Sequence, residues 1–314
     1  MEQIELGTSG VRVSPLGIGT WAWGDNLYWG YGKGYGENDL QQAFDETLRA
    51  GINFFDTAEV YGFGKSEKFI GEFLRASPFH EQIHVATKFF PMPYRLAKSF
   101  LLRALRGSLK RLGIPTVDLY QMHWTLPPVA IETWMDAMAE AVEKNLTRAV
   151  GVSNYNAEQV RRAHKRLAAR DIPLASNQIE YNLLQRGAEF NGMVETCREL
   201  NVTIIAYGPL KYGILTGKYS PSNPLPGARG GQYNAAYLAH IQPLMMELKK
   251  VAQKYDKTLS QVAINWVMQR GALPIPGAKN LKQAQENAGA YGWNLASDDV
   301  ELLNEMSTRV YTAR

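Results

Sequence analysis

The stretch INFFDTAEVYGFGKSEKFIGEFLRASPFHEQIHVATKFF, Ile52 to Phe90, reads as one complete strand–helix–strand unit. Asn53 to Asp56 is a short apolar run closed by an acid. Ser66 to Leu74 carries apolar residues at helical spacing, and His84 to Lys88 is a second apolar run closed by a base. Short strands joined by a helix of this length pair in parallel through a right-handed crossover. The alternation continues in both directions. Upstream lie a strand at Pro15 to Trp21 and a helix at Asn38 to Ala50. Downstream come a helix at Lys98 to Leu112, the strand VDLYQMH, a helix at Ile131 to Lys144, the strand RAVGVSN and a helix at Ala157 to Ala169. SNQIEY, a short helix through Cys197 and a seventh strand at Val202 to Gly208 follow, then an eighth at Leu273 to Gly277 and a helix from about Leu281 to Gly289.

Eight such units with no break in composition predict an α/β chain closed into a (β/α)8 TIM barrel, a single domain over residues 1–314. Two parts stand outside the repeat. QIELGTSGVRV reads as an N-terminal β-hairpin turned by Thr8-Ser9-Gly10, suited to plug the barrel bottom. The long loop between strands seven and eight, PSNPLPGARGGQYN followed by amphipathic helices to Arg270, reads as a lid or cofactor clasp.

Composition narrows the function. The chain has 314 residues, 45% of them apolar, with 34 basic against 30 acidic side chains and a net charge of +4. That balance gives no argument for nucleic acid, and no run is apolar enough to cross a membrane. The single cysteine, Cys197, and the absence of a basic-then-apolar leader lead to the expectation of a reducing, cytoplasmic setting. The protein is expected to be a monomer or a weak homo-oligomer. Of the five histidines only His80 and His84 have the spacing of a metal-binding helix face, and their segment enters a strand, so no metal is expected. Gly62-Phe63-Gly64-Lys65-Ser66 has the tail of a phosphate loop, but Glu59 stands where its first glycine belongs. The glycines of GYGKGYG do not match a dinucleotide fingerprint either. Arg161 to Arg170 is basic but has no aromatic neighbours to stack bases, and reads as a solvated outer face.

The informative polar residues fall at strand ends. Asp56, Lys88 and His123 each close an apolar run on consecutive units, and Tyr61 lies in the loop just after Asp56. Barrel chemistry sits at the carboxyl ends of the strands, and neighbouring strands are about 4.8 Å apart, so the four can converge. An ammonium beside a phenol lowers the phenol's pKa, a carboxylate holds the ammonium charged, and an imidazole can orient a carbonyl. Together they make a tuned general acid for an oxygen on which negative charge develops. None of them donates hydride, so carbonyl reduction requires a cofactor. Later strand ends offer it a place: Ser153, Asn154 and Gln178 for a carboxamide, Tyr207 for a ring, and Lys279 at a helix start for phosphate.

These motifs, taken together over nearly the whole chain, resemble an aldo-keto reductase. DTAEVYG, VATK and LYQMHW are similar to that family's catalytic segments. GVSN, NQIEYN, YGPLKYGILTGKY and PIPGAKNLKQAQEN are similar to its NADP(H)-binding segments. The resemblance implies that Tyr61 donates a proton, that Lys88 and Asp56 tune it, and that His123 orients a small-molecule carbonyl substrate. It places Ser153, Asn154 and Gln178 on the carboxamide and Tyr207 beneath the nicotinamide. It also carries Gly19, Thr20 and Trp21 into the cofactor site, with Gly208, Pro209, Leu210, Gly213 and Lys218, and with Gly277. Lys279, Gln283, Glu286 and Asn287 would surround the adenosine end, as in the bacterial and potassium-channel-β-subunit-like branches. Two departures stand out: Gly208 replaces a serine, and Gln283 replaces an arginine, of the best-known members. Lys279 then carries the expected preference for NADPH.

Trp23, Trp29, Phe89 and Trp124, near the first loop and the ends of strands three and four, are expected to form an aromatic substrate rim. The long first loop resembles a branch that includes pyridoxal reductases, which makes pyridoxal or another flat aromatic aldehyde a candidate substrate. Two further readings stand beside the reductase: an NADP-sensing binding subunit with slow turnover, and a Schiff-base lyase using Lys88.

Overall fold

The structure, a computed structural model, describes residues 2–312. Its N-terminal hairpin exists because glycines supply left-handed backbone where the turn needs it: Gly7 has φ 59° and Gly10 has φ 75°. Strands β1 (Ile4–Glu5) and β2 (Arg12–Val13) pair antiparallel across that turn. A Cβ on Gly7 would approach Ala175 O to 2.9 Å, so the turn is pressed against the barrel floor. Leu6, Val11 and Val13 are buried in one cluster with Phe54, Ala86, Leu119 and Ile205 of the barrel interior. The hairpin is the bottom plug the sequence predicts.

The barrel strands are β3 (Gly17–Gly19), β4 (Phe54–Asp56), β5 (His84–Phe89), β6 (Val117–Met122), β7 (Thr147–Ser153), β8 (Leu174–Glu180), β9 (Thr203–Tyr207) and β10 (Leu273–Ile275). They pair in parallel in chain order. Gly19 N donates to Pro276 O at 3.0 Å, and Gly19 bridges Gly277, which brings the first and last strands together. The fold is the expected (β/α)8 TIM barrel. Helices Glu37–Arg49, Lys65–Ala76, Lys98–Leu112, Ile131–Glu143 and Ala157–Ala168 fall within two residues of the predicted ones. The β9–β10 connection holds helices Gln242–Lys254 and Leu259–Gln269 after its Pro/Gly-rich part, again as expected.

One helix, Ser297–Thr312, is missing from the sequence reading. Its inner side interleaves apolar Leu303 and Val310 with buried polar Asp299, Asn304 and Ser307. Asn304 Oδ1 accepts from Trp266 Nε1 at 2.9 Å, and Ser307 Oγ donates to Leu183 O at 2.5 Å. The basic helix is a paired outer face: Arg161 bridges Glu199, Arg162 bridges Glu132, and Arg166 bridges Asp136. Cys197 is buried against Met193, and burial pushes its thiol up to about 12.

Strand alternation positions the chemistry. Phe54, Ala86 and Leu119 face the plug, so the residues two further on, Asp56, Lys88 and Gln121, face the same interior one layer higher. Replacing Leu6 by Ala should leave a cavity under that layer and lower stability by about 2–5 kcal/mol. Urea denaturation measures it, and kcat should be unchanged because the plug lies below the chemistry.

Candidate functional site

Lys88, with no exposed surface, is the centre of the polar layer. Its Nζ donates to Asp56 Oδ1 at 2.5 Å, Thr57 O at 2.8 Å and the Tyr61 hydroxyl at 3.3 Å. Three acceptors match the three donors of an ammonium. The other oxygen of Asp56 accepts from Gln178 Nε2 at 2.7 Å and Gln121 Nε2 at 3.0 Å. Burial alone would lower the Lys88 pKa, but Asp56 and Tyr61 outweigh it and the net shift is upward. Lys88 is therefore an ammonium at neutral pH.

Tyr61 reaches this group from a short 3-10 turn, Tyr61–Gly64. Gly62 holds φ 54°, and a Cβ there would meet Gly24 O at 2.8 Å, so the turn is docked backbone to backbone on the first loop. Behind it, Thr20 Oγ1 donates to Asp56 O at 2.9 Å, and Ser66 Oγ donates to Thr20 O at 3.0 Å. The tyrosine's pKa is raised: burial is the largest cause, Lys88 pulls it down, and Asp56 pushes it up. The ammonium lowers the phenol's pKa as argued, yet burial wins and the hydroxyl keeps its proton at neutral pH.

The His123 ring stands edge-on to Tyr61 at 5.9 Å between centroids. Burial, with a smaller contribution from the Lys88 charge, lowers its pKa to about 3, so the imidazole is neutral. Its Nδ1 is buried without a hydrogen-bond partner. The next strand ends form a connected chain. Ser153 Oγ donates to Gln178 O at 2.9 Å, Asn154 Nδ2 donates to His123 O at 3.1 Å, and Tyr207 OH donates to Asn154 Oδ1 at 3.1 Å. Asn154 holds φ 60°, a left-handed conformation that asparagine tolerates better than most residues. The structure thus brings Asp56, Tyr61, Lys88, His123, Ser153, Asn154, Gln178 and Tyr207 to one end of the barrel.

The neighbouring region is positively charged. Lys279 follows Gly277 at the start of helix Leu281–Ala288. Its pKa is lowered, first by burial and then by repulsion from Lys218 and Arg229. Among the described residues none of these three cations makes an ion pair, and Arg229 Nη2 is buried without a hydrogen-bond partner. Three unneutralised cations with an unused buried donor fit the phosphates of a nucleotide. Arg229 is absent from the sequence-predicted set; its segment reads only as a clasp. Gln283 Oε1 accepts from Lys279 N at 2.9 Å, and Asn287 Nδ2 donates to Gly277 O at 3.2 Å, so both brace the turn that presents Lys279. Glu286 accepts from Thr258 Oγ1 at 2.5 Å. Gly208 has φ 61°, and its carbonyl accepts from Asn182 Nδ2 at 2.9 Å. Pro209 is buried and Leu210 half-buried beside it, while Gly213 (φ 86°) turns the chain toward the exposed Lys218.

The aromatic rim needs two corrections. Trp23 is completely buried behind the sheet, its Nε1 donating to Ala278 O at 2.8 Å and its ring 5.7 Å from Phe73. Phe89 is also completely buried, 5.1 Å from Trp134. Alternation explains it: Lys88 points into the barrel, so Phe89 points out to the helices, and Phe90 is the ring that meets His123, at 5.5 Å. Trp124 is 41% exposed next to His123, and Trp21 lies 6.3 Å from Tyr61. Trp29 packs on Trp21 and on Arg229, between the mouth and the cations. Gln121 was missed as well. Its phase with Asp56 and Lys88 could have found it.

A model of the Aldo/keto reductase family matches residues 15–308. The chain is 40% identical over 310 residues to a chloroplastic pyridoxal reductase of Arabidopsis thaliana, across 95% of this chain and 84% of that protein. It is 29% identical over 333 residues to an NADH-specific methylglyoxal reductase of Escherichia coli (strain K12), across 98% of each. The crystal structure of a glycerol dehydrogenase from Gluconobacter oxydans superposes with a TM-score of 0.85 at 27% identity, covering 98% of this chain and 95% of that one.

Two outcomes follow from the geometry. His123 has its pKa lowered to about 3, so its ring proton shifts in an NMR titration should stay flat from pH 8 down to 5; a midpoint near the ordinary value would contradict the burial argument. Asp56→Ala leaves the Lys88 ammonium buried and uncompensated, and should cost about 3–5 kcal/mol in denaturant unfolding.

Proposed function

The chain belongs to the aldo/keto reductase family and is an oxidoreductase; on that premise we propose that it reduces aldehydes to alcohols with NADPH, using Tyr61 as the proton donor. The observation that carries this reading is the buried Lys88 ammonium, held by Asp56 and turned toward the Tyr61 hydroxyl. NADPH, when bound, supplies the hydride from its nicotinamide. The protein's part is to place and proton-load the other end of the carbonyl. Burial keeps the phenol protonated until it is needed, and Lys88 stabilises the phenolate left once the proton is given up. Asp56 keeps Lys88 charged, and Gln121 and Gln178 fix the second oxygen of Asp56. His123, being neutral, can donate one hydrogen bond to the carbonyl oxygen without competing as an acid.

Lys218, Arg229 and Lys279 are the groups suited to the cofactor's phosphates, and Ser153, Asn154, Gln178 and Tyr207 are those suited to its nicotinamide end. The unpaired cations favour the extra phosphate of NADPH over NADH. For the substrate, Trp21, Phe90 and Trp124 frame the mouth with flat surfaces, and the pyridoxal reductase relative makes pyridoxal the first aldehyde to test. The lyase reading loses its nucleophile, because a lysine kept protonated by Asp56 does not attack a carbonyl.

Tyr61→Phe should bind NADPH as well as the parent protein yet lose more than about ninety per cent of kcat, a barrier increase of at least roughly 1.4 kcal/mol. Oxidation followed at 340 nm checks it and also separates an enzyme from a slow sensing subunit. Lys279→Ala should raise the KM for NADPH far more than that for NADH. An unchanged ratio between the two would show that Lys279 does not read the phosphate.

A further inference from the structure

Trp29 belongs to a first loop that has no helix or strand of its own, yet its position is fixed. Asp25 Oδ1 accepts from Tyr28 N at 2.6 Å and from Trp29 N at 3.2 Å, an Asx-type turn that aims the indole inward. One neighbour of that ring is the Arg229 guanidinium, 4.4 Å from its centroid, which lies 4.6 Å from the Tyr212 ring as well. Another is Lys279 Nζ at 5.6 Å, which also lies 4.6 Å from the Tyr35 ring. The Trp29 Nε1 is buried without a hydrogen-bond partner, like Arg229 Nη2. On its remaining side Trp29 meets Trp21 edge-on at 5.6 Å and 84°. Trp21 in turn lies 6.3 Å from the Tyr61 ring.

We propose that Trp29 is a positioning residue that couples the cofactor-phosphate cations to the aromatic wall of the substrate mouth, through the contact series Arg229, Trp29 and Trp21, the last beside Tyr61. The inference rests on the NADPH and Tyr61 reading above. An aromatic face attracts a cation without neutralising it. A carboxylate in the same place would also hold Arg229, but it would cancel the charge that a phosphate needs. Aromatic stacking therefore orders Arg229, on a long loop, and leaves its charge available. Because the same indole abuts Trp21, the position of Arg229 and the wall of the substrate mouth are set by one side chain. Such a coupling is reciprocal in binding: occupied cations should tighten the aldehyde site, and an occupied aldehyde site should tighten NADPH.

Trp29→Leu removes the ring from its contacts with Arg229, Lys279 and Trp21. With NADPH and pyridoxal, its KM for NADPH, and its KM for pyridoxal at saturating NADPH, should each rise about tenfold, with kcat within about twofold. Trp29→Phe keeps a stacking face and should recover both constants to within about threefold of the parent. In the double variant with Arg229→Ala, the loss in NADPH binding should fall well short of the sum of the two single losses, because much of the effect of Trp29 passes through Arg229 and only its contact with Lys279 remains. Arg229→Lys serves as the second probe should Trp29→Leu not fold: it keeps the charge, loses the planar stack, and should raise both constants. Strictly additive losses, a rise in the NADPH constant alone, or equal damage from the Phe and Leu variants would each overturn the coupling. Failure of the parent protein itself to bind NADPH and reduce the aldehyde would instead overturn the underlying reading, and this inference with it.

Discussion

Everything at the carboxyl end of the barrel is arranged around one buried charge, the Lys88 ammonium. Removing an ion from water costs several kcal/mol even after relaxation, so such a group survives only when its partners are complete. Here they are: Asp56, the Thr57 carbonyl and the Tyr61 hydroxyl accept hydrogen bonds from its three N–H groups, and Gln121 and Gln178 donate to the other oxygen of Asp56. Five strands and loops thereby commit their backbones to one geometry. Its rigidity is what lets a phenol that burial would keep inert be opposed by a single nearby charge.

The charge pattern on the cofactor side follows the opposite rule. Lys218 and Arg229 both repel Lys279, none of the three has an acid partner among the described residues, and each lies over an aromatic ring: Lys218 on Tyr219, Arg229 on Trp29 and Lys279 on Tyr35. The first region pairs its charges and is buried; the second keeps three cations unpaired among the described residues. A protein that needs an internal acid and an external polyanion gains from keeping these two electrostatic regimes separate. Trp29 lies between them.

Strand order, the bottom hairpin and the four converging side chains were legible in the sequence because each rests on a local period. Alternation by two places Asp56 and Lys88 inward, and turn chemistry places Gly7 and Gly10. The same period also turns Phe89 outward and Gln121 inward. Phe89 was read as a rim residue although it follows an inward lysine, and Gln121 was passed over inside an apparently apolar run. Trp23 and Trp29 look alike in the sequence, yet Trp23 faces the helices and Trp29 the cations. Only the path of an irregular loop separates them. Arg229 and the helix Ser297–Thr312 escaped for a related reason: their roles are set by partners distant in the chain, including Trp29 and Trp266.

The junction of Gly19 with Pro276 and Gly277 has a consequence for how the protein is made. The first barrel strand to leave the ribosome has no partner on that edge until β10, the eighth barrel strand, is in place. Contacts of such separation carry a large loop-closure entropy and form late. Until then the hairpin plug has no closed floor to seal, and Leu6, Val11 and Val13 remain in search of cover. The docking of β10 therefore completes both the barrel wall and its bottom, and the edge of β3 stays exposed while the strands between them are made.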